Sequence, residues 1–468
     1  MNGRELVLDI LLTLERDKEY SHRLIKSALD KVDYLESRQK AFIKRLAEGT
    51  LERQLELDYY LDCYSTVSVK KMKPLIRCLM RMSVYQLLYM DTVPDSAVCN
   101  EACKLAAKRG FGNLKGFVNG VLRRISAGKQ ALPMPDEKKE PLHYLSVRYS
   151  MPEWLIELWM EEYGREITVT LLEALLEIHP VSLRFSLRMT GQEREIVCEQ
   201  MRKRGVEIIP GSYLPYVVLA EHTENPAELP GFDRGLFMVQ DVSSALAVEA
   251  AGIRDGDFVV DVCAAPGGKS ALAAQRAGGG RVLARDVSEE KAERIRENIS
   301  RMGIGNVDVQ VYDGAVQDES LKGKADVVLL DVPCSGLGVI GKKRDIKYRV
   351  TPQTLEEVCA LQRRIVRASA AYVKQGGILL YSTCTIHGRE NEEMVAFITR
   401  ELGLEPVSLE GRLPEAVLEQ KRLLERKREE AGKLSQAGLT SEECGACLQL
   451  LPGYMEADGF FLACFRQP

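Results

Sequence analysis

The chain has 468 residues, too many for one ordinary core and enough for two or three domains. With 45% hydrophobic and 28% charged residues it reads as a soluble globular protein, and no apolar stretch reaches the roughly 18 residues needed to span a bilayer. The net charge of −4 is uneven: residues 1–128 carry 22 Lys+Arg against 16 Asp+Glu, a net of +6 that leaves −10 elsewhere. A basic module on an acidic body points to a nucleic-acid partner about as strongly as to ordinary surface scatter. The opening Met1-Asn-Gly-Arg-Glu-Leu6 runs straight into an amphipathic pattern and is not a signal peptide. The twelve cysteines are therefore expected as reduced thiols in the cytoplasm.

Residues 1–128 read as all helix. Leu6, Val7, Ile10, Leu11 and Leu14 recur at helical spacing, as do Ile76, Leu79, Met80, Ser83 and Leu87. Pro94-Asp95-Ser96 starts another helix, with Asp95 or Ser96 as N-cap, and Gly110 ends it. Residues 129–141, with three prolines and many charges, read as a linker. Residues 142–240 mix types. Trp154, Leu155, Leu158 and Trp159 share a helical face, and Val181–Leu187 with Val217–Leu219 predict a small sheet.

From 241 to 468 apolar strands alternate with helices. The strands are Phe258–Val262, Arg281–Ala284, Val307–Val311, Ala325–Leu330 and Gly377–Leu380, which argues an α/β fold with a parallel, doubly wound sheet. Leu448–Leu451 and Phe460–Phe465 read as a closing antiparallel pair. Residues 411–436 read as a charged, solvated helical insertion.

Asp261-Val-Cys-Ala-Ala-Pro-Gly-Gly-Lys-Ser270 follows a strand and opens a helix. Gly267 and Gly268 let the backbone approach a ligand, and the helix start offers unpaired N–H donors. Cys263, Ala264, Ala265, Pro266, Gly267, Gly268 and Lys269 thus form a cofactor loop. It lacks the Gly-x-Gly-x-x-Gly of a dinucleotide site and the Gly-x-x-x-x-Gly-Lys-Ser/Thr of a phosphate loop. An adenosyl group bearing a sulfonium fits better than a pyrophosphate. Asp286, about 20 residues on, can accept hydrogen bonds from ribose hydroxyls. Asp313, at the end of the third strand, is placed for the adenine, although a loop-capping role is as common.

Two thiols follow two of the strands: Cys334 in Asp331-Val-Pro-Cys-Ser335 and Cys384 in Tyr381-Ser-Thr-Cys-Thr385. Strand-end cysteines of one sheet can face a single pocket. Addition of a thiolate to carbon 6 of cytosine makes carbon 5 nucleophilic, and covalent catalysis of this kind splits a hard step into easier ones. Asp331 is placed to bind the N3/N4 edge of the base. Lys269 can reach the base or the cofactor carboxylate. Cys63, Cys78, Cys99, Cys103, Cys198 and Cys359 read as small core residues, and His387 as structural. Cys444-Gly-Ala-Cys447 with Cys464 has one ligand pair and no evident fourth ligand, so no metal is expected.

These motifs, with Asn391-Glu392, resemble those of the RNA cytosine-5 methyltransferases. The resemblance implies S-adenosylmethionine (S-adenosyl-L-methionine) on a Rossmann-like class I methyltransferase domain, with Cys384 as nucleophile and Cys334 assisting product release. The DNA enzymes attack with the Pro-Cys thiol instead. Asn100-Glu101-Ala102 and Gly116-Phe-Val-Asn-Gly-Val-Leu-Arg-Arg124 are similar to the all-helical, RNA-binding NusB family. The combination implies an enzyme acting on 16S rRNA or a small-subunit assembly intermediate, with neither membrane nor oligomer indicated. Pro180–Ser186 resembles the family's Leu-Arg-Val-Asn segment. Gly341-Lys-Lys-Arg-Asp-Ile-Lys-Tyr348 resembles its Arg-His-Pro-Asp-Ile-Lys-Trp stretch, with Asp345 and Lys347 as landmarks, while Lys342, Lys343 and Arg344 read equally as a solvated basic turn. The organisation expected is a NusB-like helical domain (1–128), a linker (129–141), a small α+β segment shaping an RNA groove (142–240) and a methyltransferase domain (241–468). The rivals are a tRNA cytosine-5 methyltransferase and an assembly factor with vestigial catalysis.

Overall fold

The computed structural model describes residues 2–17, 20–32, 34–177, 180–223, 225–433 and 438–468. The chain divides into two compact units. One comprises Met1–Trp159 with Ile340–Arg349, the other Met160–Val339 with Val350–Pro468. No described helix is long and apolar enough to cross a membrane.

The first unit is helical. The helix Gly3–Arg16 buries Val7, Leu8, Ile10 and Leu11, and Pro74–Tyr89 buries Ile76, Leu79, Met80, Ser83 and Leu87. Their apolar stripes share one core with Ile43, Leu57, Val98, Leu122 and Ile125. The helix Asp95–Lys108 starts one residue earlier than expected, with Pro94 in the cap position. The Asp95 carboxylate does not cap; it accepts from Ser126 Oγ at 2.6 Å and Lys129 Nζ at 2.9 Å. Cys63 is exposed, so it is not the core residue expected.

Residues Ile340–Arg349 come from far along the chain yet belong to this unit. Arg344 Nε donates to Glu52 Oε1 (2.8 Å) and its Nη1 to Glu48 Oε2 (3.1 Å). Asp345 accepts from the backbone N–H and hydroxyl of Ser21, at the start of the helix Ser21–Asp30, at 3.1 and 2.5 Å. Lys347 Nζ donates to the carbonyls of Glu52 (2.7 Å) and Ser150 (2.6 Å), and Tyr348 Oη to that of Leu51 (2.9 Å). A solvated turn therefore describes only Lys342 and Lys343, which are exposed. Arg344 is drawn in by two glutamates. Burial pushes the Lys347 ammonium down to about 7, against the charge of Glu52.

The second unit carries two sheets. The smaller contains β1 (Val181–Phe185), β2 (Glu207–Pro210), β3 (Val217–Glu221) and β4 (Phe237–Val239), antiparallel in the order β2-β3-β1-β4. The larger contains β5 (Phe258–Asp261), β6 (Arg281–Asp286), β7 (Val307–Val311), β8 (Ala325–Asp331) and β9 (Val373–Thr383), all parallel. Antiparallel β10 (Glu405–Pro406), β11 (Cys447–Leu450) and β12 (Phe460–Arg466) complete it. The path is β10-β12-β9-β8-β5-β6-β7, with β11 on β12. This is the Rossmann-like α/β sheet expected. Its central strands, Val259-Val260 and Val327–Leu330, are apolar on both faces because helices cover both.

The charged helix Glu415–Glu430 is not a solvated insertion. Val417, Leu418 and Leu424 are buried, Lys421 Nζ donates to the Cys444 carbonyl at 2.8 Å, and Arg428 pairs with Glu392 at 2.8 Å. One apolar stripe on a mostly charged helix is enough to seat it.

Candidate active site

Because β5 to β9 are parallel, their carboxyl ends share one edge of the sheet. The strand order reverses between β5 and β8, the crevice position at which open α/β sheets hold ligands. Asp261, Asp286 and Asp331 each end a strand there.

The loop after β5 turns sharply at Gly267, whose φ of +97° suits a residue without a Cβ. A Cβ on Gly268 would lie 3.0 Å from Gln240 Nε2, so a larger residue there would have to push that amide aside. The Ala264 N–H donates to the Arg285 carbonyl (2.8 Å), and the Ala265 N–H to Asp286 Oδ2 (3.0 Å). The other Asp286 oxygen accepts from the Val287 N–H (2.8 Å) and pairs with Lys291 (2.9 Å). Asp261 accepts from Ser270 Oγ at 2.6 Å, while its Oδ1 is buried with no protein partner among the described residues. Burial pushes the Asp261 carboxyl up to about 7, against the Ser270 hydrogen bond and the charge of Lys269. Burial likewise raises the Cys263 thiol. Asp313 lies two residues beyond β7, exposed, with Oδ1 accepting from the Ala315 N–H at 2.9 Å. It caps its own loop.

The thiols lie side by side. β8 and β9 pair Asp331 with Ser382, and the loops beyond bring Cys334 Sγ to 3.1 Å from Cys384 Sγ. The Cys384 hydrogen bond, then burial, raise the Cys334 thiol well above its ordinary range. Asp331 accepts from Ser382 Oγ (2.9 Å) and from Lys269 Nζ (2.7 Å), and that ammonium also reaches Ser244 Oγ (3.1 Å). The loop lysine, nearly buried, and the strand-end aspartate, 30% exposed, thus form one pair near the thiols.

The sequence did not single out the group that joins the two thiol loops. Glu390 is fully buried. It accepts from the Ser335 N–H (2.9 Å), the Ser335 hydroxyl, and Gln362 Nε2 (2.9 Å). Gln362 Nε2 also donates to the Pro333 carbonyl at 3.0 Å. Asn391, next in the chain, accepts from Thr383 Oγ1 (2.7 Å) and donates to the Thr385 carbonyl (3.1 Å). Asn391 thus braces the Cys384 loop, while Glu390 with Gln362, and Ser335 Oγ against Thr385 Oγ1 at 2.8 Å, tie that loop to the loop of Cys334.

The model of the 16S rRNA methyltransferase RsmB/F family matches residues 249–466, and that of the NusB family residues 1–127. The chain is 34% identical to the probable ribosomal RNA small subunit methyltransferase B of Bacillus subtilis, over 99% of this chain and 98% of that protein. It is 30% identical to the protein of the same description from Synechocystis, over 99% of each. Among solved structures it is similar to that of PH0851, with a TM-score of 0.76 at 24% identity over 99% of this chain and 98% of that one. A methyltransferase homolog from Pyrococcus horikoshii follows, with a TM-score of 0.54 at 23% identity over 70% of this chain and 99% of that one. Sheet order, cofactor loop and family match define the class: a Rossmann-like S-adenosylmethionine-dependent methyltransferase joined to a NusB-like helical domain. Within that class, the chain belongs to the RsmB/F family of 16S rRNA methyltransferases.

Proposed function

We propose that the protein methylates carbon 5 of a cytosine in 16S rRNA, free or in a small-subunit assembly intermediate, through a covalent cysteine–cytosine adduct. The observation that carries this reading is the 3.1 Å pair of thiols beside the Lys269–Asp331 pair at the cofactor edge of the sheet. The relatives' description as small-subunit rRNA methyltransferases supports the substrate over tRNA.

The residues present fit S-adenosylmethionine. Asp261, Asp286 and Asp331 set three carboxylates at neighbouring strand ends, with Lys269 on Asp331 and Lys291 on Asp286, acceptors suited to a cationic sulfonium and its ribose. The Cys263–Lys269 loop would hold the cofactor, with Asp286 on the ribose hydroxyls and Asp313 at the adenine end. When bound, the cofactor supplies an electrophilic methyl group. The target base leaves its stack to enter the site. Cys384 sulfur bonds to carbon 6 while Asp331 holds the N3/N4 edge and Lys269 supplies the proton that N3 takes. That bond makes carbon 5 enamine-like, so that it would accept the methyl group the cofactor supplies. Water then takes the carbon 5 proton, the C–H electrons reform the 5,6 double bond as the sulfur–carbon 6 bond breaks to leave the Cys384 thiolate, and N3 returns its proton to Lys269. Once Cys384 is bonded to the base, its thiol no longer raises Cys334. Burial and the charges of Glu390 and Asp331 still do, and Cys334, freed of its largest restraint, is the group placed to promote release.

Two substitutions test the roles. Cys384→Ala is expected to abolish both methyl transfer, read as tritium release from C5-labelled 16S transcript, and covalent RNA attachment. Cys334→Ala is expected to accumulate the RNA adduct on denaturing gels. Swapped outcomes would refute the assignment, and faster release from tRNA than from 16S transcript would move the substrate.

A further inference from the structure

The segment that follows Cys384 is held by two adjacent residues of a helix more than 220 positions earlier in the chain. Glu162 and Tyr163 end the helix Glu153–Tyr163. Tyr163 Oη donates to the Ile386 carbonyl. Glu162 Oε1 lies 2.7 Å from His387 Nδ1 and accepts the Gly388 N–H at 3.2 Å. Three consecutive residues are thereby held, two by backbone groups and His387 by its side chain, beginning two residues after the sulfur. Both side chains of the dyad are buried, 7% exposed for Glu162 and 3% for His387. A buried carboxylate and imidazole are costly to desolvate, so they persist only as partners. Glu162 Oε2 has no partner among the described residues, which leaves His387 and Gly388 as its anchorage. A Cβ on Gly388 would lie 2.8 Å from Glu392 Oε2 and 3.5 Å from Glu162 Oε1, so a larger residue there would have to displace the Glu392 carboxylate.

The surroundings are charged on every side. Glu390 and Arg389 flank His387 along its own loop, Glu392 opens the next helix, and Arg428 pairs with Glu392 while lying 5.0 Å from the Tyr163 ring centroid. Burial alone would lower the His387 imidazole, but the hydrogen bond and charge of Glu162 outweigh it and raise it.

We infer that Glu162 and His387 are positioning residues for the reaction: their buried dyad anchors the Ile386–Gly388 segment so that Cys384 meets the base in attacking geometry. This rests on the proposed role of Cys384 as nucleophile. Misplacing a reacting atom by about 1 Å can lower a rate by about 100-fold. The perturbation therefore belongs in kcat, not in RNA affinity, since both side chains are buried, nor in cofactor binding, whose proposed residues follow other strands.

The test uses the full chain with 16S transcript. His387→Ala is expected to lower kcat at least about tenfold, with KM for RNA and the calorimetric Kd for S-adenosylmethionine within about twofold of wild type. His387→Asn keeps an N–H near the Nδ1 position for Glu162 and is expected to restore kcat to within about threefold. A kcat for folded His387→Ala within about twofold of wild type, while Cys384→Ala is inactive, overturns the dyad's role and leaves the nucleophile standing. Equal losses in the Asn and Ala variants also overturn it, since the tether alone would then not matter. Activity surviving in Cys384→Ala would remove the premise and the inference together. Should His387→Ala fail to fold, His387→Asn decides alone: retained kcat supports the tether, and a tenfold loss in the folded protein refutes it.

Discussion

Glu390 is the residue whose replacement most directly probes the coupling between the thiol loops. Its carboxylate takes three donors: the Ser335 N–H, the Ser335 hydroxyl and Gln362 Nε2. Hydrogen bonds to a charged group contribute about 1.5–3 kcal/mol each, and neutral ones about half that. In Glu390→Gln one oxygen remains for the two N–H donors on Oε2, and the new amide faces a hydroxyl that can turn and accept. The net loss is about 1–2 kcal/mol. Glu390→Ala leaves the Ser335 N–H and one Gln362 N–H without acceptors, while the Ser335 hydroxyl keeps Thr385 Oγ1 at 2.8 Å and Gln362 keeps the Pro333 carbonyl, and is expected to lose about 3 kcal/mol. Both losses fall on the segment that presents Cys334. Hydrogen exchange at the Ser335 amide reads them locally. The amide is expected to exchange about tenfold faster in the Gln variant and more than about 100-fold faster in the Ala variant. Unchanged protection in Glu390→Ala, or faster exchange in Gln than in Ala, would refute the account of Glu390 as the tie.

Two further outcomes are expected. The Lys347 ammonium, lowered to about 7 by burial, makes the folded helical unit bind fewer protons than the unfolded chain between that value and the ordinary lysine range. Stability of this unit should therefore rise from pH 7 to pH 9, by at most about 1.4 kcal/mol per pH unit. Urea unfolding followed by fluorescence of Trp154 and Trp159, both in this unit, reads the slope, and Lys347→Met should flatten it. Asp286→Ala removes the acceptor of the Ala265 N–H and the proposed ribose partner. It should weaken S-adenosylmethionine binding at least about tenfold by calorimetry, and an unchanged Kd would remove Asp286 from the cofactor site.

The positions of the strand-end residues were legible in the sequence. Asp261, Asp286, Asp331, Cys334 and Cys384 end or follow short apolar runs whose carboxyl ends a parallel sheet lines up by construction. The strands β2 and β4 were not legible: one ends in Pro210 and alternates poorly, and the other has three residues. Glu390, Gln362 and Glu162 escaped notice for another reason. A polar residue declares its burial only through partners 28 to 225 positions away, and no local period records them. The stripe of Val417, Leu418 and Leu424 was available but hidden among the charges of its helix.

The Ile340–Arg349 segment bears on how the molecule comes into being. Lys347 caps the Ser150 carbonyl from 197 residues downstream. A ribosome adding about 5–20 residues per second produces that lysine roughly 10–40 s after Ser150. Through that interval the helical unit has left the exit tunnel with the carbonyls of Leu51, Glu52 and Ser150 and the head of the Ser21–Asp30 helix still awaiting their donors and acceptor. The basic unit that leads the chain is thus finished only after residues 263–269 and the first thiol have been translated.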